Sequence, residues 1–140
     1  SANLGKAVLS IGAVKGFEIG DGFSVAESNG AANNDNFYVT EDGAIAKKTN
    51  HSGGTLGGMT DGSEIVFRTA FKPTPSIAQV QETVTTNMEE VEIEITGRHD
   101  PIIVPRAVVV VESMAAITIL DALLLNMTAR LDRICEFYNR

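Results

Sequence analysis

The sequence has no tryptophan, one cysteine and two histidines. The lone Cys135 excludes an internal disulfide, and His51 and His99 cannot make an ordinary zinc site by themselves. Basic residues are scarce as well: 11 Lys and Arg against 18 Asp and Glu leave a net charge of −7. That balance argues against unassisted binding to nucleic acid or anionic lipid, although local basic clusters can still take up anionic metabolites. The opening Ser1-Ala2-Asn3-Leu4 has neither a basic region nor a long apolar segment, so no secretory signal is expected and a reducing cytosol fits. The absence of an initial methionine leads to the expectation of a processed, tagged or truncated chain. With 140 residues and 44% hydrophobic content, one core and a single domain over residues 1–140 are expected.

What is present is concentrated near one element. Arg98, His99, Asp100 and Arg106 place four polar side chains directly before the longest apolar run. Pro101 and Pro105 push Asp100 and Val104 toward extended backbone, so a helix is expected to begin at Pro105 or Arg106. From Ala107 to Leu125 the only charges are Glu112 and Asp121, nine residues apart and so on opposite sides of a helix. The length would permit a membrane span, but two acids within it favour a buried core helix with packing layers on both sides. Arg106 and Glu112 are expected to share a polar network at its mouth.

Along the chain, Leu4 to Ile11 has helical spacing and Gly12 ends it. Val14 to Ile19 reads as a strand, and Gly20-Asp21-Gly22 as a turn into a second strand over Phe23 to Ala26, an ordinary hairpin or an acidic ligand loop. Glu27 to Thr49 reads as a long mobile excursion, with a loop-rich insertion at about 29–47, either a lid or a disordered insertion. Gly53-Gly54 and Gly57-Gly58 make a tight turn or let backbone N–H groups approach a ligand; no Walker or Rossmann pattern accompanies them. Ser63 to Phe71 is a strand, and Lys72-Pro73-Thr74-Pro75-Ser76 after it offers an ammonium, hydroxyls and stiff backbone for an anion or phosphate. Gln79 to Met88 reads as a connection, and Glu89 to Ile95 as a strand with Val91, Ile93 and Ile95 opposite Glu90, Glu92 and Glu94. Asn126 to Tyr138 continues in helical period, which makes Cys135 a small core residue rather than a nucleophile.

In order, the chain presents Ser10 to Phe23, Thr49-Asn50-His51-Ser52-Gly53-Gly54, Gly57-Gly58-Met59, Phe71-Lys72-Pro73-Thr74, Gly97-Arg98-His99-Asp100-Pro101, Val104-Pro105-Arg106-Ala107 and Glu112-Ser113-Met114-Ala115. This series resembles the carboxy-terminal part of chorismate synthase, from Leu4 to about Leu125, with Gly97 to Ala107 as its most specific element. The resemblance implies elimination of phosphate from 5-enolpyruvylshikimate 3-phosphate to give chorismate. It further implies dependence on reduced FMN, an association with NADPH, and a cytoplasmic homotetramer in the shikimate pathway of aromatic amino acid biosynthesis. By the same resemblance Asp100 assists proton movement at the flavin, and Arg98 contacts both flavin and substrate. Gly57 and the segment Lys72, Pro73, Thr74, Pro75 and Ser76 correspond to flavin-contacting positions. Gly12 and Ala13 do so as well, for a neighbouring subunit's site.

The implied fold class is α+β, part of a β-α-β sandwich with a long buried helix packed between antiparallel sheets. The family's Gly-Glu-Ser-His element, its second catalytic histidine and its arginine-rich segment have no counterpart here. The expectation is therefore a fragment that is inactive alone and exposes apolar surface. A non-enzymatic α+β module that binds an anion or serves in assembly explains the composition equally well, but not the order of the motifs.

Overall fold

A computed structural model describes residues 1–139. Helix α1 (Ala2–Leu9) buries Leu4, Gly5 and Val8, and its end is fixed by the Ser10 hydroxyl, which donates to the Ala7 carbonyl at 2.7 Å. It stops two residues short of the expected Ile11. A reversal at Ala13, in the left-handed region at φ 68°, starts β1 (Val14–Ile19).

The expected hairpin does not form: β1 pairs antiparallel with β6 (Phe67–Phe71), some fifty residues further on. Phe17 lies over Phe67 with ring centroids 5.5 Å apart, and Glu18, facing Arg68, forms an ion pair with it at 2.8 Å. The register shifts between Val14 and Gly16, a bulge with one extra residue in β1. Phe23 to Ala26 lies in a 3₁₀ helix (Gly22–Glu27), not a strand. The Glu18 carboxylate accepts the Phe23 N–H at 3.0 Å, which winds the chain up instead of extending it.

The segment from 29 to 47 carries structure of its own, against the expected mobile excursion. Strands β2 (Phe37–Val39) and β3 (Ile45–Lys47) pair as a hairpin, and Asp35 just before it is buried. Strands β4 (Thr55–Leu56) and β5 (Met59–Thr60) form a minimal hairpin closed by Gly57 and Gly58 at φ 57° and 83°, the signature of a two-residue turn that matches strand twist. The expected connection at Gln79 to Met88 contains a strand, β7 (Val80–Val84), paired with β8 (Glu90–Glu94). Glu82 faces Glu92 in that register, while Val91 and Ile93 are exposed.

Helix α2 (Val104–Met127) has Pro105 in its first turn, as its missing N–H allows. Its buried residues are Ala107 and Ala115, small side chains that admit α1 closely. The class is α+β, as expected, but these residues supply only part of the expected layers. Val108, Val109, Ile117, Leu120, Leu123 and Leu124 are each at least half exposed. By length and composition α2 could cross a membrane, with mean hydropathy 2.2. The helix then ends: Arg130 is extended, and α3 (Leu131–Tyr138) is separate from α2. Cys135 on α3 is exposed, not a core residue.

Candidate functional site

The expected site residues sit on four turns. Ala13 and the Lys72 segment meet directly, since the Lys72 N–H donates to the Ala13 carbonyl at 2.7 Å. Gly12 beside it faces open space, as does Gly57 at the tip of the β4–β5 hairpin. Pro73 and Pro75 lack N–H groups, so the Lys72–Ser76 segment can make few backbone bonds of its own. The Pro75 carbonyl accepts from the Gln81 side-chain amide at 2.8 Å and from the Ile77 N–H at 3.1 Å. The Thr74 hydroxyl is buried without a partner.

On the fourth turn Arg98 is exposed, and His99 Nε2 is buried without a partner. Asp100 accepts from the Arg106 guanidinium at 2.6 Å, across the start of α2. The expected partner of Arg106, Glu112, instead lies exposed further along the helix. Among the described residues no hydrogen bond or ion pair joins Gly57 to Arg98 or Asp100.

Three buried polar atoms among the described residues lack partners, an unusual state in folded chains. One is Thr69 Oγ1 on β6; the other two, Thr74 Oγ1 and His99 Nε2, lie on segments that carry expected flavin contacts. With Lys72 and Arg98 as cations and an open glycine turn, the donor set suits a flat, phosphate-bearing group such as FMN. Among the described residues no cluster of His, Cys, Asp and Glu could hold a metal. A cavity of about 660 Å³ lies between α1, the β4–β5 hairpin and α2, and none of the expected site residues line it.

A polar centre that sequence reasoning missed lies beneath the glycine hairpin. The Lys47 ammonium is 2.7 Å from Asp61, 2.9 Å from the Ser52 hydroxyl, 3.3 Å from Asn50 Oδ1 and 3.4 Å from Asp35. Asp35 also accepts from the Thr49 hydroxyl and from the His51 and Ser52 N–H groups, at 2.7, 2.8 and 3.0 Å. Burial alone would raise the Asp35 carboxyl, but the bonds from Ser52, Thr49 and His51 outweigh it and hold it far below the usual range. Burial likewise works against the Lys47 ammonium, and the hydrogen bonds and charges of Asp61 and Asp35 reverse it, raising its pKa. Asp61 is lowered, first by Lys47 and then by the Ser63 N–H. The available signal was Asp35 as the sole charge between Ser28 and Thr40, an isolated acid in an uncharged run.

Residues 1–124 match the family model described as chorismate synthase. The chain belongs to the chorismate synthase family. It is 69% identical over 139 residues to chorismate synthase of Agathobacter rectalis, covering 99% of this chain and 38% of that protein. Chorismate synthase of Lachnospira eligens is 63% identical over the same shares. The chain spans about 38% of the length of these relatives. A solved structure titled as the crystal structure of chorismate synthase aligns over 99% of this chain and 33% of its own, with TM-score 0.67 and 31% identity. The family is one of lyases, and the Gly97–Ala107 element that carries the resemblance leads into the first turn of α2.

Proposed function

We infer that this chain supplies part of the active site of a chorismate synthase, converting 5-enolpyruvylshikimate 3-phosphate to chorismate by elimination of phosphate and a ring proton. The observation that supports it most is Asp100 held by Arg106 at 2.6 Å beside Arg98, within a chain matched to that family along most of its length.

The substrate is an anion carrying phosphate and carboxylates, and Arg98 and Lys72 are the cations that bind it and orient its leaving group. Reduced FMN, when bound, supplies transient electron density to the substrate as phosphate departs. Gly12, Ala13, Gly57 and Lys72, Pro73, Thr74, Pro75 and Ser76 would hold that cofactor by backbone and hydroxyl contacts. Asp100 handles a proton at the flavin, and Arg106 fixes the direction in which its carboxylate points. The chain alone is inactive in this reading, since half of a cationic pocket cannot hold a dianion against a net charge of −7. The complete enzyme is read as a cytoplasmic homotetramer.

The test grafts this sequence into the Agathobacter rectalis enzyme in place of its matching segment. Anaerobic chorismate formation with reduced FMN is expected from the graft. Asp100→Ala is expected to lower turnover about 10²–10⁴-fold. A graft that folds, binds an unrelated anion and never binds flavin would favour the anion-binding module.

A further inference from the structure

Two of the candidate segments, Lys72–Ser76 and Arg98–Asp100, precede and follow one hairpin, β7–β8. Val80 faces Glu94 at its open end, so the chain enters β7 and leaves β8 side by side. The strand ends nearest the two segments are thus neighbours. This hairpin hydrogen-bonds to no other strand among the described residues, so its coupling to the site depends on its side-chain bonds. One such bond exists: half-buried Gln81 donates its side-chain amide to the Pro75 carbonyl at 2.8 Å.

The Pro75 carbonyl also accepts from the Ile77 N–H at 3.1 Å, but that bond stays inside the loop and ties it to no strand. Pro73 and Pro75 remove two donors, leaving the Lys72 N–H to Ala13 as the anchor at one end and the Pro75 carbonyl at the other. Between them lies Thr74, whose buried hydroxyl has no protein partner and must be aimed with care if it is to meet a ligand.

Resting on the flavin reading above, we propose that Gln81 is a positioning residue for the cofactor. It ties the Lys72–Ser76 segment to the hairpin whose other strand, facing Gln81 through Ile93, leads to Arg98. The two segments then approach a bound flavin as one unit.

The experiment uses the same full-length graft and reads the Kd for anaerobically reduced FMN by absorbance titration, beside the Tm of the apo-protein. Gln81→Met keeps the shape and loses the donor; its Kd is expected to rise about 5–10-fold with Tm within about 2 °C of the parent. Gln81→Lys restores a donor and is expected to bring Kd back within about twofold of the parent. A parental Kd in Gln81→Met overturns the proposal and leaves the flavin reading intact. A raised Kd that Gln81→Lys does not restore also overturns it. A parent graft that folds but binds no reduced FMN overturns both.

Discussion

The Asp35 carboxylate and the Lys47 ammonium lie 3.4 Å apart with their side chains 4% and 3% exposed. Lys47 acts there as a tethered cation, its ammonium ringed by oxygens from three separate stretches of chain. Those stretches flank the β4–β5 hairpin, so the pair fixes the base on which Gly57 is carried. Removing Asp35 leaves Lys47 with Asp61 alone and strips the Thr49 hydroxyl and the His51 and Ser52 N–H groups of their acceptor.

Asp35→Ala in the full-length graft is therefore expected to lower unfolding free energy by on the order of 3 kcal/mol, read from the urea midpoint. The pH dependence has two limbs. Asp35 is depressed from 3.8 in the folded chain, so its contribution is complete above that value and declines as pH falls further. Lys47 is raised above 10.5, so its contribution is complete below that value and is lost in stronger alkali. A flat plateau of this contribution from about pH 4 to about pH 10 is expected, and Asp35→Ala should flatten the acid limb of Tm against pH.

Arg106 offers a separation of function from stability. Its side chain is 77% exposed, so Arg106→Met should change stability by less than about 1 kcal/mol. Turnover should nonetheless fall about tenfold, because Asp100 loses the group that aims it. Unchanged kcat in the graft would refute a positioning role for the pair.

Two glycines at nearly equal φ should respond differently. A Cβ on Gly20 would stand 2.0 Å from the His51 carbonyl oxygen, whereas one on Gly57 would meet nothing within 4 Å. Gly57→Ala thus costs only left-handed backbone strain, about 1 kcal/mol, and should weaken FMN binding in a folded protein. Gly20→Ala must move backbone as well and should lower Tm by clearly more. Equal melting temperatures would contradict the close approach.

The uncovered side of α2 predicts behaviour of the chain alone. Ile117, Leu120 and Leu124 are 61%, 54% and 52% exposed, and at helical spacing they form a contiguous apolar stripe of the kind that associates. Sedimentation should show self-association, reduced by Leu120→Glu with Leu124→Glu. A monodisperse parent would count against it.

These comparisons also show what was readable in advance. Periodicity placed α2, β1, β6 and β8 because each has a strong local pattern. It missed the partner of β1, since pairing over fifty residues leaves no local trace. It missed β7 because Gln81, Glu82 and Thr83 interrupt any apolar alternation in a hairpin that no other sheet covers. The burial of α2 was overread, as a helix's composition records every neighbour it has evolved against, including ones these residues do not supply. At the site, the sequence grouped Arg98, His99, Asp100 and Arg106 but joined Arg106 to Glu112; its bond to Asp100 was a matter of geometry. The Lys47 centre was illegible because its members follow no period.

The extra residue in β1 has a consequence for tolerance to deletion. It works as slack in a measuring tape: β1 faces β6 in step from Gly16 onward, then takes up one residue so that Val14 lies opposite Phe71. That offset brings the Ala13 carbonyl to the Lys72 N–H. Deleting Lys15 would take out that slack and leave Val14 next to Gly16 and still opposite Phe71, so the pairing survives and the local bend of the bulge is what is lost. Substitution and removal at Lys15 should then both spare the β1–β6 register, the mark of a position that sets the strand's bend and not its partners.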